Sequence, residues 1–444
     1  MITYGTVTPS VAIQIIWDEW ETLPKNIRDS MQSCVCRALF CDIALDFPNF
    51  AADDFRYLMK RYVSEGSSIF FEKLPELGKR IETSLITEEP FLVSSGWELV
   101  KTTRLPKFCN HLFSQVYQDD GTLKFDYSHV NYLDRIPREF TRAVLLLRQI
   151  CLVWSKVEIP CSSIKINTAI GDFKKRIVLD HKPDFSYDLT RSALNEARRL
   201  LRHVFDTDSP ALRDLLAFQK EPWGRHGSGA VAEGEKGPEK WSFKTWPGLT
   251  EKLFSFNEGL HMDVLTQDSQ PDARICVVPK DFKGPRIICI EPKENQFAQQ
   301  GLMEIFYTLS KQHPLLKRSI DYNCVDVNRR LCYDYNYATI DMKDASDRIS
   351  LSLARMLLPR WIFKLVTRYR TRYASYKGER YKTGCLSTMG NALCFPLETM
   401  IFWAIALGTL ISIRDSYGLR QRNNIPISSV KVFGDDIIVP LWGC

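Results

Sequence analysis

Residues 429–441 read SVKVFGDDIIVPL. Two runs of β-branched and apolar side chains flank Gly434-Asp435-Asp436, and a Gly-Asp pair between such runs predicts a hairpin, because both residues tolerate the positive φ of a tight strand turn. The turn then carries two carboxylates. Held a few ångströms apart, two such charges repel by roughly 4 kcal/mol at an effective dielectric near 20, so a fixed pair calls for a cation. A divalent-metal site for phosphoryl transfer is the chemistry this implies. Taken alone, the tripeptide is equally an acidic hairpin tip in water.

Upstream, Tyr337–Ser350 (YATIDMKDASDRIS) reads as a short strand ending at Asp341, then a helix start carrying Asp347. Asp341 precedes Asp435 by 94 residues, and each stands where a strand of a small sheet would stop. If those strands are neighbours, Asp341 and Asp435 can share two divalent ions, one activating a hydroxyl and one stabilising a leaving pyrophosphate. Ser387-Thr388-Met389-Gly390-Asn391 forms a small-residue loop into a helix, with Asn391 near its cap and Glu398 one to two turns in. Asn391 with Asp347 can hydrogen-bond a ribose 2′-hydroxyl, and a plain helix cap is the alternative. Between these stretches, Arg360–Lys382 holds eight Lys or Arg, one acidic residue and six aromatics: Trp361, Phe363, Tyr369, Tyr373, Tyr376 and Tyr381. That mixture suits a nucleic-acid single strand, and it suits a solvated helix and hairpin nearly as well.

Arg274–Pro292 (RICVVPKDFKGPRIICIEP) predicts another hairpin, whose turn region carries Lys280, Lys283 and Arg286. Three cations on one rigid ribbon suit a triphosphate; as an isolated feature they are an exposed basic hairpin. Trp223–Trp241 is a Gly-rich connection that fits neither a Walker A loop, since Ala230-Val231 follow Gly229, nor a dinucleotide fingerprint. It reads as a flexible loop, or as one offering Arg225 and His226 to RNA. A helix from about Ser186 to Phe205 has an apolar back and a basic stripe of Arg191, Arg198 and Arg202, which is a solvated face or a phosphate contact. From Val11 to about Lys156 the pattern is mostly helical, and His111 and His129 read as structural.

At 444 residues with 45% hydrophobic content, the chain can build a large multi-lobed globular fold. Its net charge of +6 permits a polyanionic partner without demanding one. Thirteen cysteines without a CxxC pair read as free thiols in a reducing cytosol. The N-terminus shows no basic region followed by an apolar one, and the longest apolar run, Thr399–Ile413, is too short for a bilayer and reads as a buried helix. No membrane partner is expected.

Asp341-x5-Asp347 in TIDMKDASD, STMGN ahead of LETMIFWA, and FGDDII, preceded by VPK and IEP around the basic hairpin, resemble motifs A, B, C and F of a viral RNA-directed RNA polymerase. The closest resemblance is to the replicase catalytic subunit of single-stranded RNA bacteriophages, the levivirus type. GRHGSGAV and VLLLRQICLVW resemble that family's finger region more loosely, and the likeness covers roughly residues 100–444. It implies an α+β right-hand polymerase: helical fingers over 1–200, further fingers with the Gly-rich loop and basic hairpin over 201–330, and an antiparallel-sheet palm over 331–444. It implies that Asp341, Asp435 and Asp436 hold two Mg2+, with Mn2+ as the alternative ion, and that Asp347 and Asn391 check the ribose. Ser387 and Gly390 match a flexible loop, and Lys280 and Arg286 match cations over the triphosphate. The implied activity is copying a phage RNA genome from rNTPs in the cytoplasm of the bacterial host. The implied host partners are translation elongation factors Tu and Ts and a ribosomal RNA-binding protein.

The sequence departs from the pattern in two places. Phe433 stands where Tyr is common, which matters little if the ring packs beside the turn. The chain also stops four residues after Pro440, so the resemblance implies an incomplete coding sequence with no thumb, weakly active or inactive alone. A reverse transcriptase, which normally excludes the 2′-hydroxyl with a bulky ring, and a noncatalytic RNA-binding protein are the competing readings. A metal-dependent nuclease explains neither the basic hairpin nor Asn391.

Overall fold

A computed structural model describes residues 7–125, 136–157, 161–206, 208–220, 223–242, 245–247, 265–267, 271–281, 284–323, 326–416 and 427–443. The chain is mixed helix and sheet, and it divides into two compact units: Met1–Ser162 with Pro279–Pro285, and Ser163–Val278 with Arg286–Cys444.

The first unit is built on helices α1 (Pro9–Glu21), α2 (Met31–Asp46), α3 (Pro48–Glu65), α4 (Leu74–Thr87), α5 (Asn110–Val116) and α6 (Arg138–Leu152). Thr8 and Ser30 start the first two of these by accepting the amides of Val11 and Ser33, groups with no partner inside the helix. Along α6, Phe140, Ala143, Leu146, Leu147, Ile150 and Cys151 are buried, the three-and-four spacing expected of a helix against a core. The rings of Phe40, Phe55, Phe70, Phe108, Phe113 and Trp154 fill that core. His111 is structural, as the sequence reading has it: its Nδ1 lies 3.3 Å from Asp54 and its ring stacks on Phe50. His129 lies outside the described residues.

The second unit holds α7 (Ser163–Val178), α8 (Asp188–Asp206), α9 (Pro210–Lys220), α10 (Lys293–Gln312), α11 (Leu351–Leu357), α12 (Arg360–Arg368) and α13 (Cys394–Ser416), a short parallel pair Thr245–Pro247 with Leu265–Gln267, and two larger sheets. One sheet has β1 (Ala273–Asp281) between β2 (Gly284–Ile290) and β4 (Tyr373–Tyr376), with β5 (Glu379–Lys382) at the edge. The other runs β3 (Tyr337–Asp341), β7 (Asp436–Pro440), β6 (Lys431–Phe433), all antiparallel. Leu194 and Leu201 of α8, Leu302 and Phe306 of α10, Trp403 of α13 and Val432, Ile437 and Val439 of the three-stranded sheet share one core.

The helices α8 and α13 meet closely, because a Cβ on Gly408 would come within 2.6 Å of the Ala193 carbonyl oxygen. Arg191, Arg198 and Arg202 remain exposed on the opposite face of α8. The apolar run expected to be a buried helix lies in α13, which is 23 residues long and begins three residues after Asn391. Among the described residues this is the one helix long and apolar enough to cross a membrane, and most of it is buried inside the protein.

Candidate active site

The three-stranded sheet places the acidic residues. In its register Asp341 lies opposite Asp436, and Phe433 pairs with Asp436 on the other side. Residues paired this way put their side chains on one face with Cβ atoms about 5 Å apart. Asp435 occupies the turn, and all three aspartates are exposed. The strand adjacency expected from the sequence is therefore observed. The Asp436 carboxyl is raised from its ordinary value by partial burial, then by the charges of Asp435 and Asp341.

Gly434 takes φ +66°, the conformation the turn requires, and its amide donates to Thr399 Oγ1 of α13 at 3.0 Å. The Phe395 ring covers the same glycine so closely that a Cβ would meet it at 2.5 Å. Phe433 packs edge-on against that ring, with centroids 5.1 Å apart. The sequence carries no signal for these roles of Thr399 and Phe395, because each reads as one more residue of an apolar helix.

A groove of about 520 Å³ runs beside the aspartates, bordered by Asp341, Asp436, Phe433, Asn328 and Arg329. Among the described residues no three His, Cys, Asp or Glu side chains converge into a preformed metal cage. An open rim of carboxylates still fits a hard divalent ion of the Mg2+ type, which keeps several waters and takes only one or two protein carboxylates beside substrate phosphates.

Two further carboxyls sit deeper. Asp347, on the short helical turn Ala345–Arg348, is buried and pushed up to about 6 by that burial, against the opposing pull of Arg176 on α7, whose Nη2 lies 3.4 Å from Asp347 Oδ2. Glu398 of α13 is buried with Oε1 lacking a hydrogen-bond partner, and is pushed up to about 8 by burial, then by Asp435 and Asp347. Ser387 and Asn391 are buried in the loop before α13, and the exposed Gly390 lies between them. Asn391 lies near the start of α13, as expected, in the turn that leads into it: its Oδ1 accepts the Leu393 amide at 2.8 Å while Nδ2 donates to Glu291 at 2.9 Å.

Lys280 on β1 and Arg286 on β2 are exposed, and Lys283 lies outside the described residues. The Gly-rich connection is clamped rather than loose. Lys240 Nζ donates to the carbonyls of Gly227 and Gly229, and Gly224 abuts Phe297 with no room for a Cβ. Arg225 pairs with Glu304 at 3.2 Å, and His226 packs against Trp241 and Phe297.

Much of the basic, aromatic stretch 360–382 is likewise engaged within the protein. Arg370 is buried and donates to the carbonyls of Thr383, Cys385 and Leu386. Tyr369 is fully buried, Arg380 lies over the Tyr373 ring and pairs with Asp272, and Lys174 lies over Tyr376 and Tyr381.

Residues 250–443 match the family described as RNA replicase, beta-chain. The chain is 30% identical to the RNA-directed RNA polymerase subunit beta of Escherichia virus Qbeta over 277 residues, 59% of this chain and 43% of that protein. It is 35% identical over 168 residues to the RNA-directed RNA polymerase beta chain of Enterobacteria phage GA, covering 37% and 29% of the two chains. The corresponding chain of Escherichia phage MS2 is 34% identical over 170 residues, covering 37% and 28%. The match spans less than half the length of each of these curated relatives. The resemblance read from the motifs is thus borne out: the chain is similar to the phage RNA-directed RNA polymerase beta subunits, and residues 250–443 match the RNA replicase beta-chain family model.

Proposed function

We propose that this chain supplies the fingers and palm of an RNA-directed RNA polymerase that copies RNA from rNTPs in the infected bacterial cell. The observation that carries the reading is the register setting Asp341 directly opposite Asp436 with Asp435 in the adjoining turn. In this reading Asp341, Asp435 and Asp436 hold two divalent ions, Mg2+ in the first instance. Such ions, when bound, activate the attacking hydroxyl and neutralise the leaving pyrophosphate.

The protein's own groups do the rest. The groove beside the rim admits the reacting ends, and Lys280, Lys283 and Arg286 offset triphosphate charge along the basic hairpin. Asn391 presents its one uncommitted N–H toward the ribose, with Asp347 held in place by Arg176. Neither residue carries the bulky ring that excludes a 2′-hydroxyl, so ribonucleotides are preferred. Elongation factors Tu and Ts and a ribosomal RNA-binding protein complete the proposed assembly, to be sought by copurification from the host.

The test is RNA-templated nucleotide incorporation with Asp435→Asn as the diagnostic variant. The reading expects incorporation of rNTPs over dNTPs, abolished by Asp435→Asn while RNA binding persists. A preference for dNTPs, or unchanged incorporation in the variant, would overturn it.

A further inference from the structure

Glu291 belongs to no carboxylate rim, yet it is only 2% exposed. It follows β2 directly, in Ile290-Glu291-Pro292, and burial pushes its carboxyl up against the opposing pull of hydrogen bonds from Thr371, Asn391 and Gln299. Its Oε1 accepts from Asn391 Nδ2 at 2.9 Å, and its Oε2 accepts the Thr371 hydroxyl. Thr371 Oγ1 in turn accepts from Asn295 Nδ2 at 2.8 Å. On its other side Asn391 Oδ1 is taken by the Leu393 amide. The Asn391 amide therefore has one allowed orientation, and a single N–H is left over.

The backbone is joined at the same place. The Cys289 amide donates to the Met389 carbonyl at 2.8 Å, and Gly390 lies so close to Cys289 that a Cβ would come within 2.2 Å of its carbonyl oxygen. A cavity of about 10 Å³, near the size of one water, is lined by Glu291, Arg370, Ser387, Thr388 and Asn391 among others.

We infer that Glu291 is a positioning residue that orients the Asn391 amide and ties the 387–391 loop to β2. The strand bearing Arg286 and the loop bearing Asn391 then move as one body, so that groups meeting the triphosphate and the ribose stay in fixed relation. Glu291 touches no nucleotide, yet ribose selection depends on it. This rests on the reading that Asn391 meets the ribose.

Equilibrium binding of GTP and dGTP to the 444-residue chain in Mg2+ tests the inference. The unaltered chain should prefer GTP by about tenfold, the worth of one hydrogen bond. Glu291→Ala should bring the ratio to within about twofold, and Glu291→Gln should keep most of it, because the amide carbonyl accepts the same N–H. A merely structural role would weaken both nucleotides alike and leave the ratio standing.

Should Glu291→Ala fail to fold, Glu291→Met supplies the second arm. It fills a similar space, accepts no N–H and should likewise bring the ratio to within about twofold. An intact ratio in Glu291→Ala or in Glu291→Met would overturn the positioning role alone. No ribose preference in the unaltered chain would overturn the reading of Asn391 and this inference with it.

Discussion

Gly390 has φ +109° and rests against the Cys289 carbonyl, so an alanine there meets both a strained backbone and a wall. We expect Gly390→Ala to destabilise the chain by about 2–3 kcal/mol in urea unfolding. Gly229→Ala, where nothing lies within 4 Å, should stay within about 1 kcal/mol. Glu398 gives a pH signature of definite sign. Its native value near 8 lies above its ordinary 4.5, so the folded chain holds a proton that the unfolded chain releases. Stability is full below about pH 4.5 and is lost as pH rises from there through 8, by roughly 5 kcal/mol at the upper end. In metal-free buffer Glu398→Gln should remove that slope between pH 5 and pH 9, and an unchanged slope would show that the buried carboxyl is not its source.

The β6–β7 hairpin, its neighbour β3 and the buried α13 were legible because each signal is local: alternating or continuous apolar runs, a Gly-Asp turn, a small-residue loop before a helix. The Glu291–Asn391 bond was not, because its partners lie 100 residues apart and Ile290-Glu291-Pro292 reads only as a strand end. Composition alone also does not decide the role of each residue over 360–382. Basic and aromatic residues look alike whether they meet RNA or, as Arg370 and Tyr369 do, satisfy loop carbonyls and fill a core. The Gly-rich connection read as flexible for a related reason: Gly224 and Gly227 lie against α10, whereas Gly229, Gly234 and Gly237 have open space around them, and a run of glycines looks the same in either setting. At the same scale, Gly408→Leu should force α8 and α13 apart, costing about 3 kcal/mol or more in unfolding experiments. A loss below about 1 kcal/mol would mean that the two helices do not meet as described.

Across the whole molecule, the +6 net charge is modest, so what marks the chain for polyanion chemistry is where charge is gathered. Exposed arginines line α8, lysine and arginine stand out on the β1–β2 hairpin, and the acidic rim collects at one end of the three-stranded sheet. Arg286→Ala should weaken triphosphate binding about tenfold while leaving the melting temperature within about 2 °C, because the side chain is exposed. The central claim concerns the aspartates, and the most direct measurement is Mn2+ binding followed by electron paramagnetic resonance, with and without an unreactive rNTP analogue. The unaltered chain should bind Mn2+ in a nucleotide-dependent manner, with affinity falling at least about tenfold in Asp341→Asn and in Asp435→Asn. Equal Mn2+ binding by all three proteins would contradict the account.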